Sequence, residues 1–530
     1  MLRTLESLRL DFSPDAAARK LEALRALARA KLATPRDVLR LHEAAAFIRA
    51  YPDDRQVLEA ARDVLEGFER RADLRRLAPS LEDSGIAGTA IRYRFFASTA
   101  RWLARRFPGH LTLDWSEGEF DERLSAAWPV LLPEAQAEAI RRAAIGPREA
   151  IERLRQATET DAEFYLRHVE ALPGGPRVRE ATHDAIDAAY VLSPGTGTPS
   201  RTKAELRGAP VVFRTSAPPH GRPDLSRAIA KPPRRVRTAS PHESRRLVDL
   251  AREAMVTRAR DLDAFAHGDP RDVRIVDDGD GLAFALIGVA PAFRLFLPAV
   301  YGALTLRNGV PIGYVQIDVL FGNAEMSYNT FPTFRSAEAG FVFGRLLSAV
   351  HHVFGTAAFS VEPYQLGHGN DEGLDSGAWW FYALAGFRPR DPAVARLAAR
   401  ELARRRARPG YRSSRATLAR LATAHLHWPP RARSGVVVTP IDRIGFATAA
   451  ASASAARLGL GSLRGWSASE RDWLRRWAPL IAALPGLERW PARDRRALLE
   501  IVRAKAGRRE TDYVKKFHAH RSLARAILDL

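Results

Sequence analysis

The chain has 530 residues, too many for a single hydrophobic core, so two to four domains are expected. Its hydrophobic content of 46% and charged content of 27% are those of a folded protein, and the absence of cysteine excludes disulfides, thiolate metal sites and cysteine nucleophiles. The net charge of +21 is carried mostly by arginine and is uneven, with +18 in residues 391–530 and −4 in residues 241–390. No apolar run has the length needed to span a bilayer. MLRTLESLRLDF lacks the apolar core of a secretory signal. A cytoplasmic, bacterial-type protein without membrane contact is expected, and nothing in the pattern fixes its oligomeric state.

Residues 1–191 read as mainly helical. Leu21, Leu24 and Leu27, then Val57, Leu58, Ala61, Val64 and Leu65, recur at helical spacing, and Pro35, Pro52, Pro133 and Pro147 stand where helices begin. An aromatic helix is expected within 90–106, and LTLDW as a short strand. Residues 192–233 are dense in proline, glycine and basic side chains and read as a linker, with one strand expected at Ala209–Thr215.

Residues 234–395 alternate in type. RRVRTA reads as a strand, and Ser240, Pro241 and Glu243 have the pattern of a helix N-terminus. Asn308-Gly309 between apolar runs predicts a two-residue hairpin, because a type I′ turn needs positive φ at both central residues. A second turn at Phe321-Gly322-Asn323 leads to a strand over 324–331, a helix over 336–354 and a strand over 357–363. Residues 396–530 read as basic helices, at 414–426, 468–484, 492–505 and 510–529. The pairs His351/His352, His425/His427 and His518/His520, and the pair His168/Glu170, lack a chelating arrangement, and no metal is expected.

The order of elements in 234–395, and the segment WFYALAGF with Tyr382 four residues before Gly386-Phe387, resemble the GNAT superfamily of CoA-dependent N-acetyltransferases. The resemblance covers about 160 residues and leaves both flanks unassigned. The fold it implies is α+β, a central, mostly antiparallel mixed sheet with helices, flanked by largely helical regions. It implies that the strands at 324–331 and 357–363 splay, so that their free backbone groups pair with the pantetheine arm. The turn after the first of these strands, opening a helix, would hold the CoA pyrophosphate.

Cofactor-binding residues implied in this way are Asn329, Thr330, Phe331, Arg335, Ser336, Ala337, Gly340 and Asn370. Glu338 stands where the family's loop has glycine. Tyr382 is the implied acid for the leaving thiolate, and the oxyanion donor a backbone N–H near Asn329–Phe331. For the base, Glu325, Asp318, Glu362 and His368 all qualify, with Glu325 preferred. The reaction expected is acyl transfer from acetyl-CoA or another acyl-CoA to a small-molecule or protein amine. Two alternatives stand beside it: a catalytically inactive GNAT-like binding or scaffold module, and nucleic-acid association through the basic C-terminal helices.

Overall fold

Backbone hydrogen bonds divide the strands of the chain into two sheets. The computed structural model describes residues 1–116, 118–219, 221–335, 338–429 and 451–528. Contacts group them into two units. The first holds residues 1–218, 242–268 and 306–312, and the second residues 219–241, 269–305 and 313–530.

The first unit is helical around a small sheet. The helices Pro14–Arg29, Pro35–Ala50 and Arg55–Glu66 start at Ser13, Thr34 and Asp54, whose side chains accept hydrogen bonds from Ala16, Asp37 and Val57 N–H. Their apolar stripes, including Leu24, Leu41, Ile48, Val57 and Ala61, form one core. A second core surrounds β1 (Ile91–Tyr93), β2 (Leu111–Leu113) and β3 (Tyr190–Leu192), with β3 between the other two. The aromatic helix expected within 90–106 starts only at Ala97, because Ile91–Tyr93 pair with β3.

The proline- and glycine-rich stretch after 192 is anchored where Thr198, Ser200 and Thr202 are buried. Arg49, itself buried, donates to the carbonyls of Thr202 (2.7 Å), Arg201 (3.3 Å) and Ala204 (3.2 Å). Burial pushes its guanidinium down to about 10, so it remains charged at neutral pH. The strand expected at Ala209–Thr215 does not form. Its backbone donors go elsewhere: Val212 N–H to Asn308 Oδ1 at 2.9 Å and Arg214 N–H to the Pro52 carbonyl at 2.8 Å.

The second unit carries most of a nine-stranded, mostly antiparallel sheet. Its strands are β4 (Arg235–Thr238), β5 (Gly268–Gly279), β6 (Leu282–Val289), β7 (Ala299–Arg307), β8 (Val310–Leu320), β9 (Asn323–Thr330), β10 (Ala358–Val361), β11 (Arg388–Pro389) and β12 (Leu426–Trp428). The spatial order is β11-β12-β10-β9-β8-β7-β6-β5-β4. Asn308 and Gly309 have φ of 49° and 78°, as the two-residue turn requires, and Phe321-Gly322 repeats that geometry with 49° and 73°. β9 and β10 are parallel and are joined by the helix Ala339–Phe354, which ends on left-handed Gly355.

The C-terminal segment supplies both a strand and helices. The helix expected over 414–426 spans only Arg415–Leu421, because Leu426–Trp428 insert between β10 and β11. The helix expected over 510–529 breaks at His520, whose Nδ1 accepts from Leu523 N–H while Nε2 meets the Asp494 carbonyl at 2.8 Å. Lys505, fully buried, donates to Glu510 (2.6 Å) and to the Pro298 carbonyl (2.9 Å). Arg294 donates to the carbonyls of Lys505 and Gly507 at 2.7 Å each. No described helix is long and apolar enough to cross a membrane.

Replacing Arg49 by Met keeps the apolar stem but strands three carbonyls. The expected loss is about 3 kcal/mol, read as a lower urea midpoint for the first unit.

Candidate functional site

Strand β9 pairs with β8 along its whole length, from Asn323 against Leu320 to Thr330 against Gly313. On its other edge it pairs with β10 through only three residues, Ala358–Ser360 against Asn323–Glu325. β10 ends at Val361, and Pro363 starts a short helix, Pro363–Leu366. Residues Met326–Thr330 of β9 therefore present an edge that no described strand covers.

Side chains alternate across β9. Tyr328 and Thr330 lie on the face that meets Phe343 of the helix Ala339–Phe354, with Thr330 Oγ1 donating to the Tyr328 hydroxyl at 2.9 Å. Tyr382 sits on this side, in the helix Ala378–Ala385, buried among Phe343, Phe381 and Phe387. Burial pushes its phenol well up, and a hydrogen bond with the Tyr328 backbone opposes that shift. The charge of Glu362 also reaches the phenol and adds to the rise.

The opposite face carries Glu325 and Ser327, flanked by Asp318 on β8 directly across from Glu325. Here the structure assembles a polar cluster. Glu325 Oε2 lies 3.3 Å from His425 Nε2 and 3.5 Å from the donating Ser360 hydroxyl. Asn323 Nδ2 donates to Ser360 Oγ at 2.9 Å, and Ser327 Oγ donates to Glu362 Oε1 at 3.5 Å. Burial raises the Glu362 carboxyl, and the negative charge of Glu325 raises it further. His427, opposite Ser360, is lowered to about 4 by burial and by Arg390, so it is neutral at physiological pH. Two carboxylates and two imidazoles thus share one face at the point where β9 and β10 part.

The other expected residues have definite places. Asn329 pairs with Tyr314 across the ladder, and buried Phe331 meets the Tyr314 ring at 5.8 Å. Arg335 donates to the Thr330 carbonyl (3.0 Å) and to Glu372 (2.8 Å), so its charge is already partnered. Ser336 and Ala337 lie outside the described residues. Gly340 is required by close packing: a Cβ there would stand 2.8 Å from the Gly221 carbonyl oxygen. Asn370 caps the helix Asp371–Ser376, accepting from Gly373 N–H and donating to the Tyr364 carbonyl. His368 is exposed after its turn and forms no ion pair with either carboxylate among the described residues.

Beside the N-terminus of the helix Ala339–Phe354 lies a cavity of about 260 Å³, lined in part by Arg222, Arg335, Glu338, Gly340 and Phe381. A neighbouring cavity of about 340 Å³ shares Arg222 and Leu384 with it and adds Arg388, Arg405 and Arg406. Burial and the charge of Arg406 both lower the Arg388 guanidinium. The arginines of this second cavity favour an anionic occupant there.

His425, His427, Ser327, Ser360 and the arginine cavity were not among the residues expected from sequence. A three-residue strand shows no periodicity, and Leu426–Trp428 follow directly on a helical pattern. Comparison with protein-family models, with curated proteins and with solved structures finds no match for this chain.

Glu362 supports a pH-dependent stability test. A carboxyl raised in the fold penalises the folded state at pH above its raised value, and the penalty vanishes as pH falls below the unfolded value. Glu362→Gln is therefore expected to raise the melting temperature at pH 8, with the gain shrinking to nothing by pH 4. Thermal melts across that range check it.

Proposed function

We propose that the second unit is a GNAT-type acyltransferase that moves an acyl group from an acyl-CoA to an amine. The observation that carries this reading is the parting of β9 and β10 after three residue pairs, with Tyr382 on one side of the opening and the Glu325–Glu362–His425 cluster on the other. An extended pantetheine arm has the hydrogen-bonding pattern to pair with backbone groups of Met326–Thr330, the part of β9 that no described strand covers, as an added strand does.

The chemistry follows from the groups present. A carboxylate of the Glu325–Glu362 pair takes a proton from the attacking amine, and the raised Glu362 carboxyl holds that proton more firmly than an ordinary carboxylate does. The new C–N bond forms as the thioester C–S bond breaks. A backbone N–H on the uncovered edge of β9 steadies the oxyanion. Tyr382, held protonated by burial, gives its proton to the departing thiolate.

This reading gives the phosphates to Arg222, Arg388, Arg405 and Arg406, whose cavity adjoins the one at Arg335 and Gly340. At the Arg335–Gly340 turn Glu372 pairs with Arg335 and the Gly221 carbonyl packs on Gly340. The same covering favours the second reading, a GNAT-like module that binds without catalysis.

Calorimetry with acetyl-CoA, and thiol release with a panel of diamines and lysine peptides, separates the two. The enzyme reading expects saturable binding, weakened about tenfold or more in Arg405→Ala/Arg406→Ala. It also expects Tyr382→Phe to bind normally while losing on the order of a hundredfold in turnover. Absence of binding at millimolar acetyl-CoA removes the enzyme reading. Binding without turnover on any amine leaves the binding module.

A further inference from the structure

We infer that Glu180, His183 and Asp184 in the first unit form a binding site for a divalent metal ion of the zinc–manganese class. The three stand on the helix Pro176–Ile186 at i, i+3 and i+4, within an arc of about 100°. Their donor atoms all lie within 4.8 Å of one another, and Glu180 and His183 are only 8% and 3% exposed.

The surroundings orient the donor atoms and leave one on Glu180 and one on His183 without a partner. Ser98 Oγ donates to Glu180 Oε2 at 3.0 Å and the Ala97 backbone also bonds this carboxylate, while Glu180 Oε1 is buried with no hydrogen-bond partner among the described residues. The Tyr190 hydroxyl meets His183 Nε2 at 2.8 Å, while His183 Nδ1 is buried without a partner and lies 4.0 Å from Asp184 Oδ1. The Tyr165 ring packs 5.9 Å from that of His183, and its hydroxyl is likewise buried and unpartnered. A buried polar atom without a partner carries a desolvation cost, and Glu180 Oε1 and His183 Nδ1 stand three residues apart on one helix.

A cation held by Glu180 Oε1 and His183 Nδ1 gives both a partner. With Nε2–H donated to Tyr190, the Nδ1 lone pair is free for a metal, the arrangement in which an outer oxygen fixes the tautomer of a ligating histidine. Asp184, whose side chain is 59% exposed, gives an ion its way in. One imidazole with two carboxylates suits zinc or manganese better than calcium, which prefers oxygen alone. Three protein ligands leave a coordination position open. The sequence expectation of no metal rested on other histidines. This triad shares one helix face at a spacing the sequence shows, and burial of its unpartnered atoms sets it apart.

The test uses the full, untagged chain, stripped with chelator and titrated with zinc chloride or manganese chloride by calorimetry, with parallel thermal melts. One saturable site and a higher melting temperature are expected. Asp184→Asn and Glu180→Gln should each weaken binding about tenfold or more, while circular dichroism stays as in the unsubstituted chain. Absence of saturable binding for both metals overturns the inference. So does binding of unchanged affinity in the two variants.

Discussion

A strand that loses its neighbour partway along its length must satisfy its backbone some other way. β9 loses β10 after three residue pairs, and that constraint organises the second unit. The uncovered edge of Met326–Thr330 cannot sit against an apolar wall without a partner for its N–H and C=O groups. On one side the Tyr328 backbone meets the phenol of Tyr382. On the other, Ser327 and Glu325 reach Glu362 and His425. The opening is therefore polar, partly buried and lined by groups with shifted proton affinities, the combination that makes it a candidate for chemistry.

The rest of the unit holds that geometry in place. Asn308-Gly309 and Phe321-Gly322 fix the registers on either side of β8 through paired left-handed residues. The helix Ala339–Phe354 sets the parallel crossover, and β12, brought back from beyond residue 420, closes the far side of β10. The buried Lys505–Glu510 pair, with Arg294, ties the C-terminal helices to the loop before β7. Much of the basic C-terminal excess is spent on such internal bonds: Arg457 donates to the carbonyls of Ile481 and Ala482 and pairs with Glu488.

What the sequence made legible follows from local physics. Turns that need positive φ announce themselves through asparagine and glycine, and the helix starting at Pro241 is set by residues adjacent in the chain. The longer strands around the hairpin could be read from their apolar runs. What stayed hidden depends on partners distant in sequence. β12 is three residues long and exists because β10 and β11 flank it. The apolar run at 209–215 looks like a strand, yet Asn308 and Pro52 take its donors. At the candidate site, a motif points to Tyr382 and a strand face to Glu325. Glu362 was one of several bases, and only the fold brings it beside Glu325 and His425.

The measurement that bears most directly on this account is backbone hydrogen exchange of β9 with and without acetyl-CoA. If the parted edge receives the pantetheine arm, the amides among Met326–Thr330 on that edge slow markedly on saturation, while those of β4 do not change. Saturable acetyl-CoA binding that leaves the exchange of Met326–Thr330 unaltered would contradict the account.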